Sequence, residues 1–99
     1  MSHRCYNRLT IVGRKVDLKV FDKNTRWPKK FAAHYPDLLE CSPTRHVWQF
    51  ESDKPPLEPL KRLSARHPML TFLLDYDRAR RKGLVKAKNG RITSHQVSY

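Results

Sequence analysis

An α+β domain, with two helices packed on one face of a mainly antiparallel sheet of four to five strands, is what this chain predicts. Three observations carry that expectation. Alternating apolar runs are separated by two stretches with helical spacing. Asn89-Gly90 lies between two alternating runs near the C-terminus, the strongest short-range hairpin signal. The resulting order is strand, helix, strand, helix, strand, hairpin, which suits helices gathered on one side of a sheet. The 99 residues make a single domain over 1–99.

Tyr6 to Val12 reads as the first strand, with Leu9 and Ile11 pointing one way and Arg8, Thr10 and Val12 the other. Gly13 closes it. Lys15 to Asn24 reads as a helix, with Val16, Val20 and Phe21 on its inner side and Lys15, Lys19 and Lys23 outside. Residues 26 to 44 are punctuated by Pro28, Pro36 and Pro43 and read as an irregular connection with a short helical segment at Lys29 to Tyr35. Arg45 to Glu51 is a second strand, in which His46, Trp48 and Phe50 alternate with Val47, Gln49 and Glu51.

Ser52-Asp53-Lys54-Pro55-Pro56 is a helix entry, with Ser52 or Asp53 available to cap and proline tolerated in the first turn. Leu57, Leu60 and Leu63 form the buried stripe of that helix, and Lys61, Arg62 and Arg66 face water. His67-Pro68 ends it, because a residue before proline avoids the α region. There an imidazolium suits the helix dipole. Met69 to Tyr76 is apolar nearly throughout, as expected of a strand covered on both faces or lying mid-sheet. Gly83 to Lys88 and Arg91 to Val97 form the C-terminal hairpin. Leu9, Ile11, Leu60, Leu63, Phe72 and Leu74 are expected to be buried together.

Lys and Arg number 21 against 9 Asp and Glu, a formal net charge of +12, and hydrophobic residues make up 38% of the chain. That composition supports one modest core and no deep enclosed cavity. It excludes a multi-domain enzyme and a cofactor fold with its own substrate domain. No apolar run approaches the ~20 residues that span a bilayer. The segment Met1 to Tyr6 lacks an apolar signal core, so a cytoplasmic location is expected. Cys5 and Cys41 read as free thiols.

Three passages resemble the YubB-like family of small plasmid- and phage-encoded proteins. The first is Cys5-Tyr6-Asn7-Arg8-Leu9-Thr10-Ile11-Val12-Gly13. The second is Phe50-Glu51-Ser52-Asp53-Lys54-Pro55-Pro56 running on to Leu60, Leu63 and His67-Pro68. The third is Leu74-Asp75-Tyr76-Asp77 followed by Gly83 and Gly90. The resemblance spans about two thirds of the chain and implies a ferredoxin-like fold and a mobile-element origin, without a reaction. Cys41-Ser42-Pro43-Thr44-Arg45 stands where the family carries a Trp-Gly-Thr type segment. Arg78-Ala79-Arg80-Arg81-Lys82 replaces its acidic-Gly step, which implies a more basic surface here.

That basic stretch is the sharpest functional signal. Arg78, Arg80, Arg81, Lys82, Lys86, Lys88 and Arg91 follow one another with no acid after Asp77, so +7 of the +12 net charge falls in the last 22 residues. Such a surface either serves solubility alone, binds phosphate groups of nucleic acid, or docks on an acidic protein. Alternation along a strand cannot place all seven on one sheet face. Lys86 and Lys88 share a face, and the arginine cluster is expected in the preceding loop. Tyr6, Trp48, Tyr76 and Tyr99 are candidates for base stacking, with Arg8, Lys86 and Lys88 expected nearby, although Trp48, with Phe50 and Phe72, also reads as core. The Lys-Gly-Phe-Gly-Phe type strand of an RNA-recognition motif is missing.

His3, Cys5, His34, Cys41, His46, His67 and His95 show no zinc-ligand spacing, so metal and cofactors are expected to play no part. Asp75 and Asp77 share a strand face and could hold Mg²⁺, but Arg78 and Arg80 beside them point to plain ion pairing. Ser42, Ser64 and His46 lack any triad context. The expectation is a small, cytoplasmic, non-enzymatic binding protein whose first partner is nucleic acid, DNA or RNA, with no membrane involved. The alternative is a stoichiometric inhibitor or modulator of a host protein.

Overall fold

The computed structural model describes the backbone of residues 4–98 and the side chains of residues 4–95. Its elements run β1 (Cys5–Val12), α1 (Lys15–Asn24), α2 (Trp27–Lys30), β2 (His34–Ser42), β3 (Arg45–Ser52), α3 (Leu57–Arg66), β4 (Thr71–Arg78), β5 (Arg81–Lys88) and β6 (Arg91–Ser98). The strands form one six-stranded sheet in the order β2-β3-β1-β4-β5-β6. Every neighbouring pair is antiparallel. The α+β class and the helix-covered face agree with the sequence. The counts do not, since the described residues form six strands and three helices rather than four to five and two.

The core lies between the sheet and the helices. Cys5, Leu9 and Ile11 from β1 meet Phe72, Leu74 and Tyr76 from β4, Val85 and Ala87 from β5, and Leu60 and Leu63 from α3. All six residues expected to be buried together are in this cluster. β4 sits mid-sheet between β1 and β5, although its other face is open and Leu73 there is 41% exposed. A second knot of rings lies under α2. Trp27 packs edge-on against Trp48 at 5.3 Å and Phe50 at 5.1 Å, and Phe31 joins it at 5.2 Å. Edge-to-face rings of this kind gain beyond their area burial.

α1 covers the predicted residues but turns a different stripe inward. Leu18 and Phe21 are buried, whereas Val16 and Val20 are about half exposed. A leucine and a phenylalanine at i, i+3 remove more apolar area from water than two valines at i, i+4, so that stripe prevails. Phe21 then reaches Phe72 and His67.

The stretch 26–44 is not an irregular connection. It holds α2 and the nine-residue edge strand β2. Nearly every residue of β2 is exposed, and register shifts interrupt it between His34 and Asp37 and between Leu38 and Glu40. Proline is compatible with an edge strand because the outer N–H has no ladder partner to lose. α3 starts after Pro56 with no side-chain cap, so neither Ser52 nor Asp53 serves as expected. Ser52 is buried instead. Its hydroxyl donates to the Lys54 carbonyl at 2.8 Å and accepts from Asn7 Nδ2 at 2.9 Å.

The arginine cluster does not lie in a loop. Arg78 ends β4 and Arg81 opens β5, joined by a two-residue turn of Ala79 and Arg80. Both turn residues have positive φ, 49° and 67°. Asn89 and Gly90 turn the last hairpin at φ 50° and 77°.

Candidate nucleic-acid interface on the open sheet face

All three helices bury one face of the sheet, and the opposite face is bare. Strand alternation assigns each side chain to a face. On β1 the bare face carries Tyr6, Arg8, Thr10 and Val12, because Cys5, Asn7, Leu9 and Ile11 are buried on the other. On β5 it carries Lys82, Leu84, Lys86 and Lys88, because Gly83, Val85 and Ala87 are buried.

Pairing then sets the rows that cross this face. Arg45, Val12, Thr71, Lys88 and Arg91 stand side by side. The next row is Glu40, Val47, Thr10, Leu73, Lys86 and Thr93. Then come Asp37, Gln49, Arg8, Asp75, Leu84 and His95. The last row holds His34, Glu51, Tyr6, Asp77 and Lys82.

On this face Asp37, Glu40 and Glu51 lie toward the β2 edge, Asp75 and Asp77 lie on β4 beside β5, and Lys82, Lys86, Lys88 and Arg91 lie toward the β6 edge. Within β5, Lys86 and Lys88 are about 7 Å apart, and Lys82 and Lys88 are about 20 Å apart. The cations thus form a line along the strand rather than a cluster. Lys88 Nζ also reaches Thr71 Oγ1 at 3.4 Å. Beside this line, Arg8, Thr10, Leu73, Asp75, Leu84, Lys86, Thr93 and His95 border a shallow open trough of about 610 Å³.

Of the seven cations singled out in the sequence, four share this face. Arg78 and Arg81 fall on the helix-covered side, where they border a recess with Pro55, Tyr76 and Ala79. Arg80 occupies the turn. The seven do not form one continuous surface.

The stacking candidates are sorted in the same way. Tyr6 is 61% exposed on the bare face, Tyr76 is buried, and Trp48 packs on Trp27. Tyr99 lies outside the described residues, as does His3. Asp75 and Asp77 share the bare face as expected, but Arg78 is on the other. Across the strands Asp75 neighbours Arg8 and Leu84, and Asp77 neighbours Tyr6 and Lys82.

Arg8, expected near the stacking aromatics, lies at the centre of the face between Gln49 and Asp75, because β1 is an inner strand.

His67 also departs from expectation. Burial, with Lys30 and Arg66 adding to it, pushes its pKa below the usual histidine value, so the neutral ring is favoured at the helix end. Its Nε2 shares a hydrogen bond with Thr25 Oγ1 at 3.1 Å. Cys5 and Cys41 are free thiols, the first buried and the second exposed. Burial pushes the Cys5 thiol up. No three His, Cys, Asp or Glu side chains converge on a metal-sized site among the described residues. No helix among the described residues is long and apolar enough to cross a membrane.

No protein-family model, curated protein or solved structure matches this chain.

Proposed function

We propose that this is a non-enzymatic nucleic-acid-binding protein that holds the phosphate backbone along β5 and β6 on the open sheet face. The carrying observation is the alignment of Lys82, Lys86, Lys88 and Arg91 on one bare face, where Asp77 stands opposite Lys82 but Leu73 and Thr71, not acids, stand beside Lys86 and Lys88. A phosphate chain following β5 meets a cation at three of its four outward positions. A path toward β2 meets Glu40, Asp37 and Glu51, which repel it. Phosphate contacts fix position without reading bases, so discrimination between sequences is weak.

The proposal includes kinship with the YubB-like family, a mobile-element origin, a cytoplasmic location and a ferredoxin-like frame. The frame is supported by the order strand, helix, strand, strand, helix, strand over residues 5–78 and by the spatial order β2-β3-β1-β4. In that reading α2 is an extra turn, and β5 and β6 are two strands added beside β4.

The test is oligonucleotide binding at two salt concentrations. With the four cations engaged, log K falls against log salt with a slope of roughly −3.6 on duplex and roughly −2.8 on single strands. Lys86→Gln/Lys88→Gln/Arg91→Gln flattens the slope by about two to three units. Replacing Arg80, Arg81 and Lys82 by Ala flattens it by about one unit, since only Lys82 belongs to the line. No binding at ~50 mM salt, or equal slopes in all three proteins, would remove the proposal. A nuclease-resistant acidic protein partner would then favour the inhibitor reading.

A further inference from the structure

On the helix-covered side, residues far apart in the chain build a second cationic feature. Arg62 and Arg66 are four apart on α3 and share a face. Lys30, at the end of α2, comes up beside them. Together with Phe31, Pro59 and Leu63 they line a recess of about 250 Å³ between the two helices.

Among the described residues, the polar side chains that line it are all cationic. Phe31 and Leu63 are buried, so the recess has a fixed apolar floor. Arg62 Nε donates to the Glu58 carbonyl at 3.5 Å, which lays the guanidinium along the helix. The acid nearest in sequence, Glu58, is exposed and does not line the recess. Three like charges around one concavity repel, and an anion seated between them relieves that repulsion.

His67, next to Arg66 in sequence, senses the same charges. Lys30 and Arg66 are both among the causes that disfavour its protonation.

We infer that this recess binds the phosphate end of a ligand, a phosphate monoester or diphosphate whose adjoining sugar or ring rests on Pro59, Phe31 and Leu63. The volume is below the ~300–1,000 Å³ of pockets that enclose a whole small molecule, so it suits an end group. Two arginines provide planar forks for phosphate oxygens, and Lys30 adds a point charge. A free nucleotide and the 5′-phosphate of a strand offer the same chemistry. The site lies across the sheet from the β5 and β6 cations and does not depend on them.

The experiment follows the His67 ring by NMR at low salt while pyrophosphate, ADP, and a trinucleotide with or without its 5′-phosphate are added. Pyrophosphate and ADP are expected to shift the ring signals and saturate, with ADP the tighter of the two. If strand ends are also ligands, only the 5′-phosphorylated trinucleotide does the same. If free nucleotides are the source, neither trinucleotide does.

Arg62→Gln/Arg66→Gln, at exposed helix positions, is expected to weaken ADP by at least ~10-fold, the loss of charge-assisted contacts. Lys30→Gln, on a separate helix, also weakens it. Lys86→Gln/Lys88→Gln/Arg91→Gln leaves ADP binding unchanged even if it abolishes oligonucleotide binding. An unmoved His67 ring with pyrophosphate and ADP, or equal titrations of wild type and both recess variants, overturns the inference.

Discussion

Gly83→Ala is expected to destabilise the fold through one neighbour. Gly83 is buried on the inner face of β5, opposite Tyr76 on β4. The Tyr76 ring lies across the space a Cβ would fill, so an alanine methyl would fall within the ring's own volume. Tyr76 is 2% exposed and packed in the core, so its ring cannot step aside freely. Forcing an extra methyl into such a site costs ~1–3 kcal/mol. Expelling the ring altogether would forfeit about 4 kcal/mol, from ~150 Å² at ~25 cal/mol per Å². The reduced entropy of the unfolded chain returns only ~0.4–1 kcal/mol. A net loss of about 1.3 kcal/mol is expected, lowering Tm by roughly 5–10 °C for a domain of this size. The assay is urea and thermal unfolding of wild type, Gly83→Ala, Tyr76→Ala and the double variant. With the ring removed, Gly83→Ala should cost nothing or stabilise slightly, a coupling of about 2 kcal/mol. Equal cost in both backgrounds, or a Gly83→Ala protein as stable as wild type, would refute the steric reasoning.

Other outcomes follow from single features. Replacing Ala79-Arg80 by Asn-Gly should raise stability by about 1–2 kcal/mol, since both residues occupy the left-handed region without the turn chemistry it favours; urea unfolding reads this directly. Asn7→Ala should cost about 2–3 kcal/mol, because buried Asn7 Nδ2 donates to Ser52 Oγ and to the Cys5 and Phe50 carbonyls; a loss under ~0.5 kcal/mol would show that network to be dispensable. His67 has a folded-state pKa below its unfolded value, so its contribution is complete above about pH 6.5 and is lost as pH falls through the lower folded value. Wild type should therefore lose stability relative to His67→Gln between pH 7.5 and pH 5, and parallel curves would contradict it.

Much of the frame was legible because its signals are local. Leu9 and Ile11 alternate with Arg8 and Thr10, Leu60 and Leu63 repeat at helical spacing, and Asn89-Gly90 carries its own turn preference. Each pattern reports the burial or the φ of its own residues, whatever the rest of the chain does. β2 left no such pattern. An exposed edge strand has no inside to contrast with its outside, and Pro36 and Pro43 disguise it further. The turn at Ala79-Arg80 was equally silent, since pairing of β4 with β5 holds two ordinary residues at positive φ. In α1 two apolar stripes competed, and packing against Phe72 and His67 chose Leu18 and Phe21.

For the candidate sites, local pattern was enough to tell which cations the chain carries and that Lys86 and Lys88 share a strand face, whereas Lys82 joined them only because β5 begins at Arg81. Tertiary structure alone decided that this face is the bare one, that Arg78 and Arg81 belong to the other, and that Lys30 meets Arg62 and Arg66. The physical reason is range. Alternation is written into neighbouring residues, whereas the order of strands and the docking of helices are settled by contacts between segments tens of residues apart.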